Sequence, residues 1–195
     1  RNPELVINFY NERRKQLLDV VPNAGHLGVA DLERDFNVTV VTQNVDNLHE
    51  RAGSTHVIHL HGELTKVCSS RDPYNPHFVK ELAPEEYEVK LGDKAGDGTQ
   101  LRPFIVWFGE SVPEIETAIR YVEQADIFVI IGTSLNVYPA AGLLNYVPRA
   151  AEVYLIDPKP VDTHVMRPIH VIQKGASEGV KELKALLAAT QPPLL

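Results

Sequence analysis

Apolar residues recur at helical spacing through Leu5, Val6, Phe9, Tyr10, Leu17 and Leu18, which predicts a first helix reaching about Val20. Asn2-Pro3-Glu4 supplies its start, because a Pro in the first turn gives up only an N–H that has no partner there. Pro22 stops it. A second helix is expected over 24–36 with Leu27, Ala30, Leu32 and Phe36 facing inward. The pattern then changes to a β-branched run, Val38-Thr39-Val40-Val41, read as a buried parallel strand over 38–42. A short helix near 46–52, closed by Gly53, and a strand at Val57-Ile58 follow. From 66 to 102 the chain is turn-rich, with Arg71-Asp72-Pro73-Tyr74-Asn75-Pro76 and a Gly/Asp cluster over 92–98 and no long periodic segment between them. That stretch reads as a small inserted module. After Pro103 strands are expected at 104–107, 126–131, 152–156 and 169–172, alternating with helices at 113–124, 139–147 and 176–189. Alternation of this kind predicts an α/β fold: a Rossmann-like parallel sheet with helices on both faces, carrying the module at 66–102.

Composition narrows the classes. The 195 residues are 44% hydrophobic, enough for one domain with a sizeable core. A net charge of −7 argues against a broad basic surface for nucleic acid, and it is mildly attractive to cationic, lysine-bearing proteins. Cys68 is the only cysteine, so no internal disulfide forms, which fits a reducing cytoplasm. No apolar run approaches the ~20 residues of a membrane span, and no signal peptide is visible. Neither nucleic acid nor membrane is therefore expected as a partner, and a cytoplasmic location is.

Four segments place polar residues just past a predicted strand: Gln43-Asn44 with Asp46, His61, Thr133-Ser134 and Asp157. In open α/β sheets the carboxyl ends of parallel strands converge on one ligand crevice. His61, between Leu60 and a flexible Gly62, is positioned to face that crevice as a general base, since a His titrates near operating pH; the plain alternative is a surface or hydrogen-bonded core His. Read alone, Asn44 and Asp46 are turn formers. His49 is expected to cap or pack the short helix, and His59 to face away from Leu60. The 104–110 segment reads as a buried strand and a turn at Gly109. Gly132-Thr133-Ser134, after the most apolar strand, suits a nucleotide contact through backbone N–H groups and hydroxyls, and Asp157 a ribose hydroxyl. Tyr10 and Arg13 share a helix face, where the plain reading leaves Arg13, Arg14 and Lys15 simply solvated.

Thr42-Gln43-Asn44-Val45-Asp46-Asn47-Leu48-His49 followed by His61-Gly62 resembles the signature of the sirtuins, the NAD-dependent protein deacylases. Pro22-Asn23-Ala24-Gly25-His26 upstream, then Val106-Trp107-Phe108-Gly109-Glu110, Gly132-Thr133-Ser134 and Gly175-Ala176, stand in the family's order. The resemblance implies that His61 deprotonates a ribose hydroxyl of NAD after the acyl oxygen has attacked the anomeric carbon. It implies that Asp46 recognises the nicotinamide carboxamide, Asn44 positions the ribose or a water, and Gln43 holds the nicotinamide ribose. Gly132, Thr133, Ser134, Asp157 and Ala176 are the further expected NAD contacts. Val106, Phe108 and Gly109 would line an acyl-lysine tunnel and pair with the substrate backbone. The Tyr10–Arg13 spacing matches the class III members, whose Tyr and Arg bind the terminal carboxylate of succinyl-lysine or malonyl-lysine by charge-assisted hydrogen bonds.

The expected protein is thus a deacylase acting on acyl-lysine proteins or peptides, with succinyl and malonyl groups favoured and acetyl also accepted. The products would be nicotinamide and O-acyl-ADP-ribose. Two other readings stay open: ADP-ribosyl transfer to a protein acceptor, and a nucleotide- or peptide-binding module without turnover. The family's two C-x-x-C pairs for a structural zinc are missing, so a zinc-free module shaped by turns and by packing around Tyr74, Phe78, Leu82 and Tyr87 is expected. The family's early glycine-rich phosphate loop is also not in the sequence. Residues 1–195 are accordingly expected to be a catalytic domain incomplete at its N-terminus.

Overall fold

The computed structural model describes residues 2–133, 140–160 and 166–190. Its elements run α1 (Pro3–Asp19), α2 (Ala24–Asp31), a 3-10 turn (Leu32–Arg34), β1 (Val40–Thr42), α3 (Leu48–Ala52), β2 (Val57–His59) and β3 (Gly62–Ser69). Then come β4 (Lys80–Glu81) between 3-10 turns at Pro76–Phe78 and Pro84–Glu86, β5 (Leu101–Ile105), α4 (Ile115–Val122) and β6 (Ile127–Ile131). A 3-10 segment (Ala140–Tyr146), β7 (Glu152–Ile156), β8 (His170–Ile172) and α5 (Ala176–Thr190) complete the order. The chain divides into two compact units: Arg1–Val21, Val41–Leu48 and His59–Pro113 form one, and Pro22–Val40, His49–Ile58 and Glu114–Leu195 the other. β1 pairs with β2 in a two-stranded sheet.

In the first unit, β3 pairs antiparallel with both β4 and β5. This corrects two expectations. β3 is a regular segment that apolar periodicity does not predict, entering the 66–102 stretch only as far as Ser69, and the strand expected at 104–107 lies at Leu101–Ile105 and runs antiparallel. The sequence hid β3 because its burial does not alternate: Leu64, Val67, Cys68 and Ser69 are all buried, while Glu63 and Lys66 pair with each other at 2.7 Å. α1 starts where Asn2 accepts from the Leu5 N–H. Its buried stripe is Ile7, Asn11, Arg14 and Leu17, of which only Leu17 was among the expected positions, and Leu5, Phe9 and Leu18 are exposed. Polar residues can face inward here because each is paired. Asn11 donates to the Val89 carbonyl at 2.7 Å and accepts from its N–H at 3.0 Å. Arg14 donates to the Tyr87 carbonyl at 2.8 Å, the Leu64 carbonyl at 3.3 Å and Asn11 Oδ1 at 2.6 Å. Burial pushes its pKa down to about 10, so it keeps its charge at neutral pH. Ile7, Val67 and Val89 form the apolar core behind these bonds, with Leu82 and Leu101 packed on it.

A second polar knot closes the far end of β3. The fully buried Ser69 hydroxyl donates to Asp97 at 2.6 Å and accepts from the Arg71 and Asp72 N–H groups, both at 3.0 Å. Thr99 donates twice to the same carboxylate, from its N–H at 3.0 Å and its hydroxyl at 2.7 Å. Cys68 is buried beside Pro103, and burial raises its thiol to about 11.

The second unit holds the parallel sheet, in the order β6-β7-β8, with Ile131 beside Ile156 and Ile156 beside Ile172. One face carries Tyr154, Ile156 and Ile172 against Val180, Leu183 and Leu187 of α5, with Val29, Leu32 and Phe36 packed on them. The alternate residues Ile130, Val153 and Leu155 are buried as well, so the sheet is covered on both faces. The predicted Rossmann-like α/β class therefore holds. α2 approaches α5 closely because Gly28 leaves room for Val180: a Cβ there would lie 2.7 Å from Val180 Cγ1. The ion pair between Lys184 and Asp31 bridges the same two helices. The helix expected over 24–36 ends at Asp31 and tightens to 3-10, and Leu27 faces solvent; the 139–147 helix is 3-10 over its described residues. Among the described residues no helix is long and apolar enough to cross a membrane.

Candidate active site

Three hydrogen bonds stitch the end of β1 and the turn after it to the segment 59–64, which runs from the end of β2 through its turn into β3. The Leu60 N–H donates to the Thr42 carbonyl at 3.0 Å, the Leu64 N–H to the Val45 carbonyl at 2.7 Å, and His59 Nδ1 lies 3.1 Å from the Asn44 carbonyl. Asn44 itself is exposed, with its N–H on the buried Thr42 hydroxyl at 3.0 Å. Asp46 is half-buried and uses one oxygen to cap α3, accepting from the Leu48 N–H at 3.0 Å. The turn-forming and ligand-binding readings of Asp46 are thus compatible, because the second oxygen is not part of that cap. Gln43 is half-buried.

His61 is half-buried in the two-residue turn between β2 and β3, and its carbonyl accepts from the Val106 N–H at 2.9 Å. Gly62 is not a flexible joint, as the sequence suggested. It holds φ +88°, and the backbone of Phe104 and Ile105 fills the space a side chain would need. His59 does not alternate away from Leu60, because both are buried. β2 ends at His59, so the period of two does not continue into the turn. His49 packs edge-on against His26, ring centroids 4.8 Å apart.

Val106 is half-buried, whereas Phe108 is fully exposed and Gly109 turns the chain at φ +88°. The apolar bulk of this segment is therefore not all in the core. Arg102, which the sequence did not single out, fixes it in place together with Trp107 and Glu110 of the 106–110 motif. Arg102 donates to both Glu110 oxygens at 2.8 and 3.0 Å and to the Ile105 carbonyl at 2.7 Å. Its guanidinium lies 3.6 Å from the centroid of the Trp107 ring. Those hydrogen bonds from Arg102 hold the Glu110 carboxyl below its ordinary range, and burial raises the Tyr74 hydroxyl beside it. One signal was available: an Arg abutting the apolar run 103–106, with a Glu eight positions on, marks a buried ion pair. On α1, Tyr10 is half-buried and accepts from Trp107 Nε1 at 3.2 Å, while Arg13 is exposed, its guanidinium 5.3 Å from the Phe9 ring centroid.

In the second unit, the remaining candidates follow neighbouring parallel strands. Gly132 stands at φ +65°, exposed, with nothing within 4 Å of where a Cβ would lie. Thr133 is half-buried, and Ser134 lies outside the described residues. Asp157 follows β7 and accepts from the Lys159 N–H at 2.8 Å. Ala176 opens α5 just after β8. An open hollow of about 300 Å³ among the described residues, lined by residues of 123–126 and 148–151, contains none of these candidates.

Adjacent parallel strands ending in bare backbone and an acid define an α/β protein of the class whose ligands sit at the strand ends. The family model described as "Sir2 family" matches residues 1–139. The chain belongs to the Sir2 family. It is 83% identical over 187 residues to an "NAD-dependent protein deacylase" of Bacteroides thetaiotaomicron, covering 96% of this chain and 80% of that relative. Among solved structures, a Sir2 homologue–NAD complex superposes with a TM-score of 0.80 at 36% identity, over 97% of this chain and 74% of that one. A Sir2–p53 peptide–NAD+ complex gives 0.71 at 27% identity, over 90% and 74%.

Proposed function

We propose that the protein is an NAD-dependent protein-lysine deacylase, consuming NAD and an acyl-lysine protein or peptide and releasing nicotinamide and O-acyl-ADP-ribose. The observation that carries this reading is the hydrogen-bonded juxtaposition of the 42–46 turn, the His61 turn and Val106. The deacylase name of the Bacteroides relative and the NAD and peptide in the solved Sir2 complexes support it.

The chain's own groups suit NAD. Gly132 offers open, exposed backbone at a strand end, and Asp157 keeps one carboxylate oxygen outside its bond to Lys159. These, with Thr133, Ser134 and Ala176, are assigned to the adenosine end, and Gln43, Asn44 and Asp46 to the nicotinamide ribose. When bound, NAD supplies the ADP-ribosyl acceptor for the acyl group. Uncharged amides at 43 and 44 tolerate positive charge developing on the sugar without competing as nucleophiles. His61 acts as the base that takes a ribose hydroxyl proton. Val106, Phe108 and Gly109 line the acyl-lysine path, where exposed backbone at Gly109 suits β-type pairing with a peptide. Tyr10 and Arg13 bind an acyl carboxylate, which favours succinyl- and malonyl-lysine. The 66–102 module is assigned as zinc-free, closed by the Ser69–Asp97–Thr99 knot in place of a metal. The cytoplasm is the assigned location.

Nicotinamide release with and without an acyl-lysine peptide is the test. Strict dependence on the peptide supports deacylation. Release driven by a different protein acceptor favours ADP-ribosyl transfer, and no release under either condition sinks the enzymatic reading.

A further inference from the structure

The direction of one hydrogen bond in the first unit has a chemical consequence. An indole N–H can only donate, whereas a phenol oxygen both donates and accepts. The 3.2 Å contact between Trp107 Nε1 and the Tyr10 hydroxyl is therefore donated by Trp107, and it occupies the acceptor side of Tyr10. The Tyr10 proton must point elsewhere, as a donor in search of an acceptor. A carboxylate at the end of an acyl chain is such an acceptor; the methyl group of an acetyl is not.

Trp107 is unusually well held for this task. Its backbone N–H donates to Glu110 Oε2 at 2.9 Å, and the Glu110 backbone N–H donates back to the Trp107 carbonyl at 3.0 Å. The Arg102 guanidinium covers its ring at 3.6 Å and is itself clamped by Glu110 and the Ile105 carbonyl. Neither the backbone nor the ring at 107 can swing without breaking this set. We propose that Trp107 is a positioning residue for acyl specificity, which through its indole N–H orients the Tyr10 hydroxyl as a donor to an acidic acyl group, with Arg102 and Glu110 as its mount. The inference rests on the reading of Tyr10 and Arg13 as the acyl-carboxylate pair, and it deepens that reading by adding a residue that touches no substrate carboxylate.

Trp107→Phe tests it, because the benzyl ring keeps a face for Arg102 while the donor is deleted. The ratio of kcat/KM for a succinyl-lysine peptide to that for the matching acetyl-lysine peptide should fall roughly ten-fold, the worth of one hydrogen bond, and through KM rather than kcat. Tyr10→Phe should lower the same ratio, and the double variant should lower it no further. Trp107 is the only tryptophan of the chain, so its N–H can be read directly by ultraviolet resonance Raman. Tyr10→Phe should weaken that hydrogen-bond signature. An unchanged ratio in Trp107→Phe, with the wild type still preferring succinyl, overturns the inference and leaves the acyl-carboxylate reading standing. Equal losses on both peptides, or additive effects in the double variant, also overturn it. A wild type with no preference for succinyl sinks the reading of Tyr10 and Arg13, and the inference falls with it.

Discussion

Gly62 sits so close to Phe104 that a Cβ on residue 62 would lie 2.1 Å from the Phe104 carbonyl oxygen and 2.9 Å from the Ile105 Cα. Backbone atoms cannot yield as a flexible side-chain tip does, and φ +88° adds its own strain for any L-residue. The close approach is what lets the His61 carbonyl take the Val106 N–H. Gly62→Ala should therefore cost more than about 3 kcal/mol, measured by urea unfolding, and abolish nicotinamide release in whatever fraction stays folded. A folded, active Ala variant would show that β5 can move aside.

His61→Ala separates chemistry from fold. The side chain is half-buried, so its loss should shift Tm little. If His61 is the base, peptide-dependent nicotinamide release should fall by roughly a hundred-fold or more, with peptide affinity kept. Retained turnover at wild-type rate would remove His61 from the mechanism.

The α/β alternation was legible because long apolar strands such as β6 and β7 and the helix α5 repeat their patterns without interruption. The candidate turns at 42–46 and 61–62 were legible because each follows a strand and carries unusual residue types. Elsewhere polar chemistry did what apolar periodicity was expected to do. Asn11 and Arg14 face the interior because the backbone at 64 and 87–89 offers them carbonyls, and nothing in a local pattern announces partners fifty or more residues away. β3 was missed for the same reason, since Ser69 is buried through its bonds and not through hydrophobicity. Gly62 was visible as a residue but not as a constraint, because the atoms that demand it belong to β5.

Arg13 and Arg14 are neighbours with opposite fates, and the contrast is testable. Arg13 is exposed and its guanidinium reaches only the Phe9 ring at 5.3 Å, so Arg13→Met should leave Tm nearly unchanged. It should lower kcat/KM on succinyl-lysine peptide much more than on acetyl-lysine peptide, by roughly ten-fold or more for a lost charge-assisted bond. Arg14→Met should do the reverse. It takes the side-chain donor from the Tyr87 and Leu64 carbonyls and leaves Asn11 Oδ1 with only the Val89 N–H, a loss of roughly 2–4 kcal/mol in stability that does not depend on the acyl group. Paired thermal melts and kinetics on the two peptides decide it; equal discrimination loss in both variants would make Arg13 a structural residue too.

Asp97 ties the Ser69–Thr99 knot to pH. Hydrogen bonds from Ser69 first, and then Thr99, lower its carboxyl from the ordinary 3.8 to about 2. A carboxyl whose folded pKa is depressed contributes stability that is fully present above 3.8 and is lost as pH falls towards 2, because the unfolded chain takes up the proton more readily. Asp97→Asn should therefore melt lower than wild type at neutral pH, since its amide N–H groups face donors. The gap between the two proteins should stay constant down to about pH 4 and close progressively between there and pH 2. Urea midpoints collected across that range read the effect directly. A gap that does not narrow would mean that the carboxylate charge at 97 does not hold the module, and that its closure depends on the apolar packing of Ile7, Val67 and Val89 alone.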